Sequence, residues 1–311
     1  MSKKTVVLLI SILLIAALIV FFKFNEPNRK LVPAFDLDSL SVNKISIKTD
    51  SDTLILVKKE GNWFIQNLDY YPANKEKVAD LFNHVFKAKR SKRILTRQSS
   101  KSEYYRVTDK TGTNLILFDQ NNAPLLNVFF GTSDLYTFSC MRFADNSTVY
   151  EMEDSYSEFI FPRPETWRDP YIFRFEEPDL QKIIVSYSRN NYSILRDKEA
   201  WLYKDAAREF PVTMSNRSLF KIVNILKNLQ TLKLEKKTDA IKSQYLHNEI
   251  LRVKLNFTKQ KSVELVCYQY DKDNAILEYY GNLHYVFFVP YDFVNRFTKS
   301  PENFEHYENT Y

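Results

Sequence analysis

The chain has 311 residues, room for about two domains. Its 44 Lys and Arg against 38 Asp and Glu leave a net charge of +6, too mild an excess for a dedicated nucleic-acid binder. The four glycines, at 61, 112, 131 and 281, never share one loop, which excludes a Walker A loop and a dinucleotide fingerprint. The two cysteines cannot build a structural zinc site or an iron–sulfur cluster.

Thr5–Phe22 is an uncharged run, TVVLLISILLIAALIVFF, of the minimum length for a membrane-spanning helix. A cleavable signal peptide has a shorter apolar core ending in small residues; this one ends in the bulky Leu18–Phe22. Residues 1–22 are therefore expected to be a short inner tail and an uncleaved single-pass anchor. Lys3 and Lys4 before it, against Lys23, Arg29 and Lys30 after it, do not set the orientation by count. The short basic tail favours an inside N-terminus. Residues 23–37 hold two prolines and no period and read as a linker.

Two copies of one pattern follow, predicted over 38–165 and 166–299. Lys44–Thr49 and Lys182–Ser186 alternate like strands, with Ile45 and Ile183 138 residues apart. Thr53–Val57 and Tyr192–Leu195 supply second strands. Trp63 and Trp201 follow, again 138 apart. Tyr71-Pro72 is matched to Phe210-Pro211. Amphipathic helices come next, with stripes Val78, Leu81, Phe82, Val85 and Leu219, Ile222, Val223, Leu226. Asn74 and Ser215 or Asn216 are the expected N-caps. Leu115–Phe118 answers Val253–Leu255, and Thr148–Met152 answers Tyr285–Val289. The predicted class is α+β: a transmembrane helix, then two tandem, mostly antiparallel repeats. Trp63, Pro72, Trp201 and Pro211 are read as structural anchors of the repeats. The residues from 300 to 311 read as a polar tail.

Gly61-Asn-Trp63, Tyr71-Pro-Ala-Asn74 and the Trp167-Arg-Asp169 joint resemble the bacterial domain-of-unknown-function family numbered 4340, over about residues 40–300. Two positions depart from it: Asn74 stands where the family has Asp, and Glu199 where the first copy has Gly61. The resemblance carries no catalytic residues. It implies an auxiliary subunit beside the permease and ATPase of a gliding-motility-type ABC transporter, in the bacterial cytoplasmic (inner) membrane with its bulk outside the cytoplasm.

No residue pattern predicts a catalytic, metal or cofactor site. Asp271-Lys-Asp273-Asn274 begins like a calcium loop, but Ile276 and Asn282 stand where an EF-hand needs Gly and Glu. Glu151, Glu153 and Asp154, and Glu176, Glu177 and Asp179, read as solvated turns. His84, His247, His284 and His306 have no ligand spacing, and Cys140 reads as a small core residue. The strongest polar feature is Lys87, Lys89, Arg90, Lys92, Arg93 and Arg97, continued by Lys101 and Arg106. A helix C-terminus explains one or two of these cations. The run reads either as a solvated Lys-rich face or, as a candidate contact, as a surface for lipid headgroups or an acidic face of a protein partner, not nucleic acid. The expected function is a non-catalytic accessory or scaffold subunit. The alternatives are an envelope lipid- or glycan-binding module with a groove between repeats and, third, an envelope hydrolase.

Overall fold

The computed structural model describes residues 12–17, 30–132, 138–156, 159–188, 190–282 and 284–298. The chain divides into two compact units, residues 1–169 and 170–311.

In the first unit the strands are β1 (Leu31–Pro33), β2 (Lys44–Lys48), β3 (Thr53–Lys59), β4 (Asn62–Ile65) and β5 (Tyr71–Pro72). Helix α1 (Lys75–Phe86) precedes β6 (Lys89–Thr96), β7 (Thr113–Phe118), β8 (Pro124–Thr132), β9 (Ser139–Phe143) and β10 (Val149–Met152). They form one sheet in the order β1-β6-β10-β9-β8-β7-β2-β3-β4-β5, antiparallel at every pairing. Alternation along the strands sends Ile45, Ile47, Leu54, Leu56, Leu115 and Val128 to one face. There α1 lays down Val78, Leu81 and Val85. The helix starts where the Asn74 side chain accepts from the Glu76 and Lys77 amides. The segment 97–112 crosses the opposite face and seals Val107 over Phe129, Cys140 and Val149. A Cβ on Gly131 would lie 2.2 Å from the Arg106 carbonyl oxygen, so only glycine admits that crossing.

The short helix α2 (Pro164–Trp167) closes the first unit. The second contains β11 (Leu180–Tyr187), β12 (Asn190–Asp197), β13 (Ala200–Asp205), β14 (Val212–Thr213) and α3 (Asn216–Lys227). It continues with β15 (Lys233–Lys236), α4 (Asp239–Tyr245), β16 (Glu249–Phe257), β17 (Ser262–Gln269), β18 (Asn274–Tyr279), β19 (Tyr285–Pro290) and α5 (Tyr291–Thr298). Its sheet runs β14-β13-β12-β11-β16-β17-β18-β19-β15. Read from β15, this is the order of the first sheet from β6, strand for strand. Helix α3 is capped by Ser215, which accepts from the Ser218 amide, and buries Leu219, Ile222, Val223 and Leu226. The α4 segment packs Ile241, Tyr245 and Leu246 on the opposite face.

The same position of each sheet pins its crossing segment with opposite chemistry. In the ladders Arg142 pairs with Phe129 and Glu278 with Val266, at matching places. Arg142 donates from Nε to the Val107 carbonyl at 2.9 Å and from Nη1 to the Phe143 and Asn146 carbonyls. Glu278, 6% exposed, accepts from the Tyr268 hydroxyl at 2.6 Å and pairs with Lys237 at the start of the α4 segment. Lys237→Ala leaves that carboxylate in its buried place without its cation. The expected loss is about 2 kcal/mol, checked by denaturant unfolding followed through second-unit amides.

The structure corrects several expectations. The class is mostly β, two antiparallel sheets, because each unit uses its helices only to cover sheet faces. The membrane-spanning helix is not supported: among the described residues no helix is long and apolar enough to cross a membrane. Residues 12–17 are helical. The rest of Thr5–Phe22 lies outside the described residues. Within the linker assigned to 23–37, Leu31–Pro33 form a strand of the first sheet, and Ala34, Phe35 and Leu37 pack on its core. β1 pairs with Lys89–Ser91, and Phe35 packs edge-on against Phe130 and Phe143. The second copy repeats this at Tyr171, which bridges Gln230. The Trp167–Asp169 joint belongs to the first unit, because Arg168 bridges Ala73 and the Asp169 amide donates to the Pro72 carbonyl. Tyr71-Pro72 corresponds in register to Val212-Thr213, not Phe210-Pro211: Ile65 faces Tyr71, and Tyr203 faces Val212. Residues 300–311, read as a polar tail, lie outside the described residues.

Candidate functional site

The basic run is built on β6. Lys87 follows the last turn of α1 as its C-cap. Lys89, Lys92, Arg93 and Arg97 are exposed, while Arg90 is half-buried. Irregular pairing with β10 places Tyr150 opposite Ile94 and Met152 opposite Arg90, two residues against four. Such a bulge twists a strand and breaks its alternation. Consecutive Lys92 and Arg93 both reach solvent as a result. The Arg93 amide donates to the buried Ser91 Oγ at 3.0 Å, which holds the kink. β1 covers only Lys89–Ser91, so among the described residues the strand beyond Lys92 is an open edge.

The cations differ in their partners. Lys89 Nζ lies 3.4 Å from Glu153. The Arg90 guanidinium lies 4.2 Å over the Tyr150 ring, and its Nε is buried with no hydrogen-bond partner among the described residues. Arg90 therefore acts in packing. Among the described residues, Lys87, Lys92, Arg93 and Arg97 form no ion pair. One or two lysines suffice to protect an edge strand from pairing; this group exceeds that need.

Glu153 also joins the strand to a cleft of about 720 Å³ at the end of β7 to β10. Glu151, Glu153 and Asp154 stand on one side, Arg106 and Thr111 on another, with Thr113, Ser139 and Phe130 also lining it. No spacing of residues marks these carboxylates as sharing a cleft with hydroxyls from β7 and β9; only the ladder brings them together. Glu176, Glu177 and Asp179 stay apart at a turn, where Asp179 accepts from the Thr258 hydroxyl.

The other candidates are structural. Asp271 accepts from the Asp273 and Asn274 amides, which makes a tight turn. His84 stacks on Phe159 with ring centroids 4.0 Å apart. Among the described residues no group of three His, Cys, Asp or Glu side chains could hold a metal ion. Trp63 packs against Phe82, and Trp201 is buried under the Arg196 guanidinium. Pro72 is exposed on the edge strand, and Pro211 precedes β14.

Cys140 and Cys267 are both buried and free, each within its own sheet. Burial, with the Glu151 carboxylate adding, pushes the Cys140 thiol up to about 12, and Cys267 is raised further. Burial likewise raises Tyr71 and Tyr156 to about 12. These groups are neutral when folded and titrate lower when unfolded. Their stabilisation is complete below about pH 9 and is lost as pH rises toward 12. At pH 8 a thiol reagent is expected to label neither cysteine until denaturant is added; rapid labelling of the folded chain would contradict the burial.

Residues 63–249 match the family model described as Domain of unknown function (DUF4340), which is more than half of the chain. No curated protein and no solved structure matches. A match of that length, spanning β4 of the first sheet to the start of β16 in the second, makes this chain a member of the DUF4340 family.

Proposed function

We propose that the chain is a non-catalytic accessory subunit of a membrane complex, of the ABC-transporter kind, and docks on it from outside the cytoplasm. The observation that supports this is the cationic face of β6. Among the described residues, Lys87, Lys92, Arg93 and Arg97 are exposed and form no ion pair with a carboxylate, and the strand edge beyond Lys92 is open. Long-range attraction from such a face speeds encounter with an acidic partner and sets its register. The open edge can accept an extended segment of that partner by main-chain hydrogen bonds. The reading does not depend on a membrane span within this chain. Affinity purification from native membranes in mild detergent tests it: a permease and an ATPase should be recovered with the chain.

A second reading is favoured by the cleft. Its carboxylates and hydroxyls suit a neutral polyhydroxyl ligand such as a glycan, held within the first unit. Glycan-array binding that disappears in Ser139→Val would support it, and an array without hits would remove it.

A further inference from the structure

We propose that the edge of the second unit formed by β14 and the start of α3 is the docking site of the chain's own segment Pro301–Phe304. The segment closes the second repeat as Pro164–Trp167 closes the first.

The register of the repeats carries the first part of the argument. Met152, Tyr156 and Ile160 are buried after β10, and Val289, Phe293 and Phe297 are buried 137 residues later. The same offset, continued without a gap, maps Pro164-Glu-Thr-Trp167 onto Pro301-Glu-Asn-Phe304. Proline, glutamate, a small polar residue and a large aromatic recur in order. In the first unit this motif is a clamp: the Trp167 carbonyl accepts from the Asn74 amide at 2.7 Å, and the indole is fully buried.

The surface carries the second part. Beneath the first clamp Tyr71 and Ala73 are each 3% exposed. Their register equivalents are Val212, 43% exposed, and Met214, half-buried. Met214 donates its amide to the Trp201 carbonyl as Ala73 does to Trp63, so the inner side of the edge is built alike in both units. The outer side of the second edge presents bare apolar surface, extended by Phe210 at 71% exposure. Met for Ala enlarges the floor and Phe for Trp shrinks the plug, a compensating exchange of volume. The Ser215 amide takes the place of the Asn74 donor.

The test uses the full chain and its variants Phe304→Ala, Phe304→Trp and Tyr311→Ala. Amide exchange at Met214 and Ser215 is expected to quicken about tenfold or more in Phe304→Ala, and to stay slow in the other two. A photo-crosslinking phenylalanine at 304 should attach to Val212 or Met214 of its own chain. Unchanged exchange in Phe304→Ala, or crosslinks to another protein or to another part of the chain, would overturn the proposal.

Discussion

Trp167→Ala is expected to destabilise the first unit by about 3–5 kcal/mol. Few single changes cost so much, and three contacts explain the size. The indole is fully buried against the main core, so truncation leaves a cavity that β5 and α1 cannot fill. Its Nε1 donates to the Phe161 carbonyl at 2.7 Å, and that acceptor is left without its donor. The Lys77 ammonium, 4.9 Å over the ring and bonded to the Thr166 carbonyl, loses its platform. A typical domain has only about 5–15 kcal/mol to lose. Denaturant unfolding followed by first-unit amide exchange checks the loss. Trp167→Phe should keep most of the packing and lose about 1–2 kcal/mol. A Trp167→Ala unit within about 1 kcal/mol of the parent would show that the segment does not clamp the edge.

The second large effect is on binding. Lys92→Glu, Arg93→Glu and Arg97→Glu together invert the exposed face of β6. Association with an acidic partner is expected to weaken by roughly 3 kcal/mol, about a hundredfold. Folding should survive, because all three side chains point to solvent among the described residues and none of them makes an ion pair there. Arg90 is left alone because it packs on Tyr150. Raising salt should weaken the parent's association toward that of the variant, since exposed charges are screened within about 8 Å at physiological ionic strength. Equal recovery of partners by parent and variant would remove β6 from the interface.

Much of each repeat was legible because its strands alternate cleanly. Ile45 with Ile47 and Ile183 with Val185 are buried, while Lys44 and Lys182 face out. The helix stripes and the Asn74 and Ser215 caps were equally clear, being local signals. What the sequence hid was set by distant pairing. β1 is three residues long and ends in proline, so nothing but its partner β6 marks it as a strand. β6 itself, KRSKRILT, reads as a charge run because the bulge scrambles its alternation. A signal was present at the start of the repeats: Phe35-Asp-Leu37 and Phe173-Arg-Phe175 lie at the same offset of 138 as the strands after them. Each is followed by a short 3-10 turn, Ser39–Ser41 and Glu177–Asp179, so the repeat begins before residue 38. The match of Pro72 to Pro211 followed residue identity, whereas the ladder follows backbone pairing. The cleft left no trace in sequence, because Thr113, Ser139 and Glu151 meet only through the order β7-β8-β9-β10.

The most direct measurement for the accessory-subunit account is affinity purification of the full chain from native membranes, with co-purifying proteins identified by mass spectrometry and counted against the chain. The account predicts a permease and an ATPase at near-equal stoichiometry, released by high salt. A folded chain recovered alone, or with a bound glycan and no membrane protein, would contradict it.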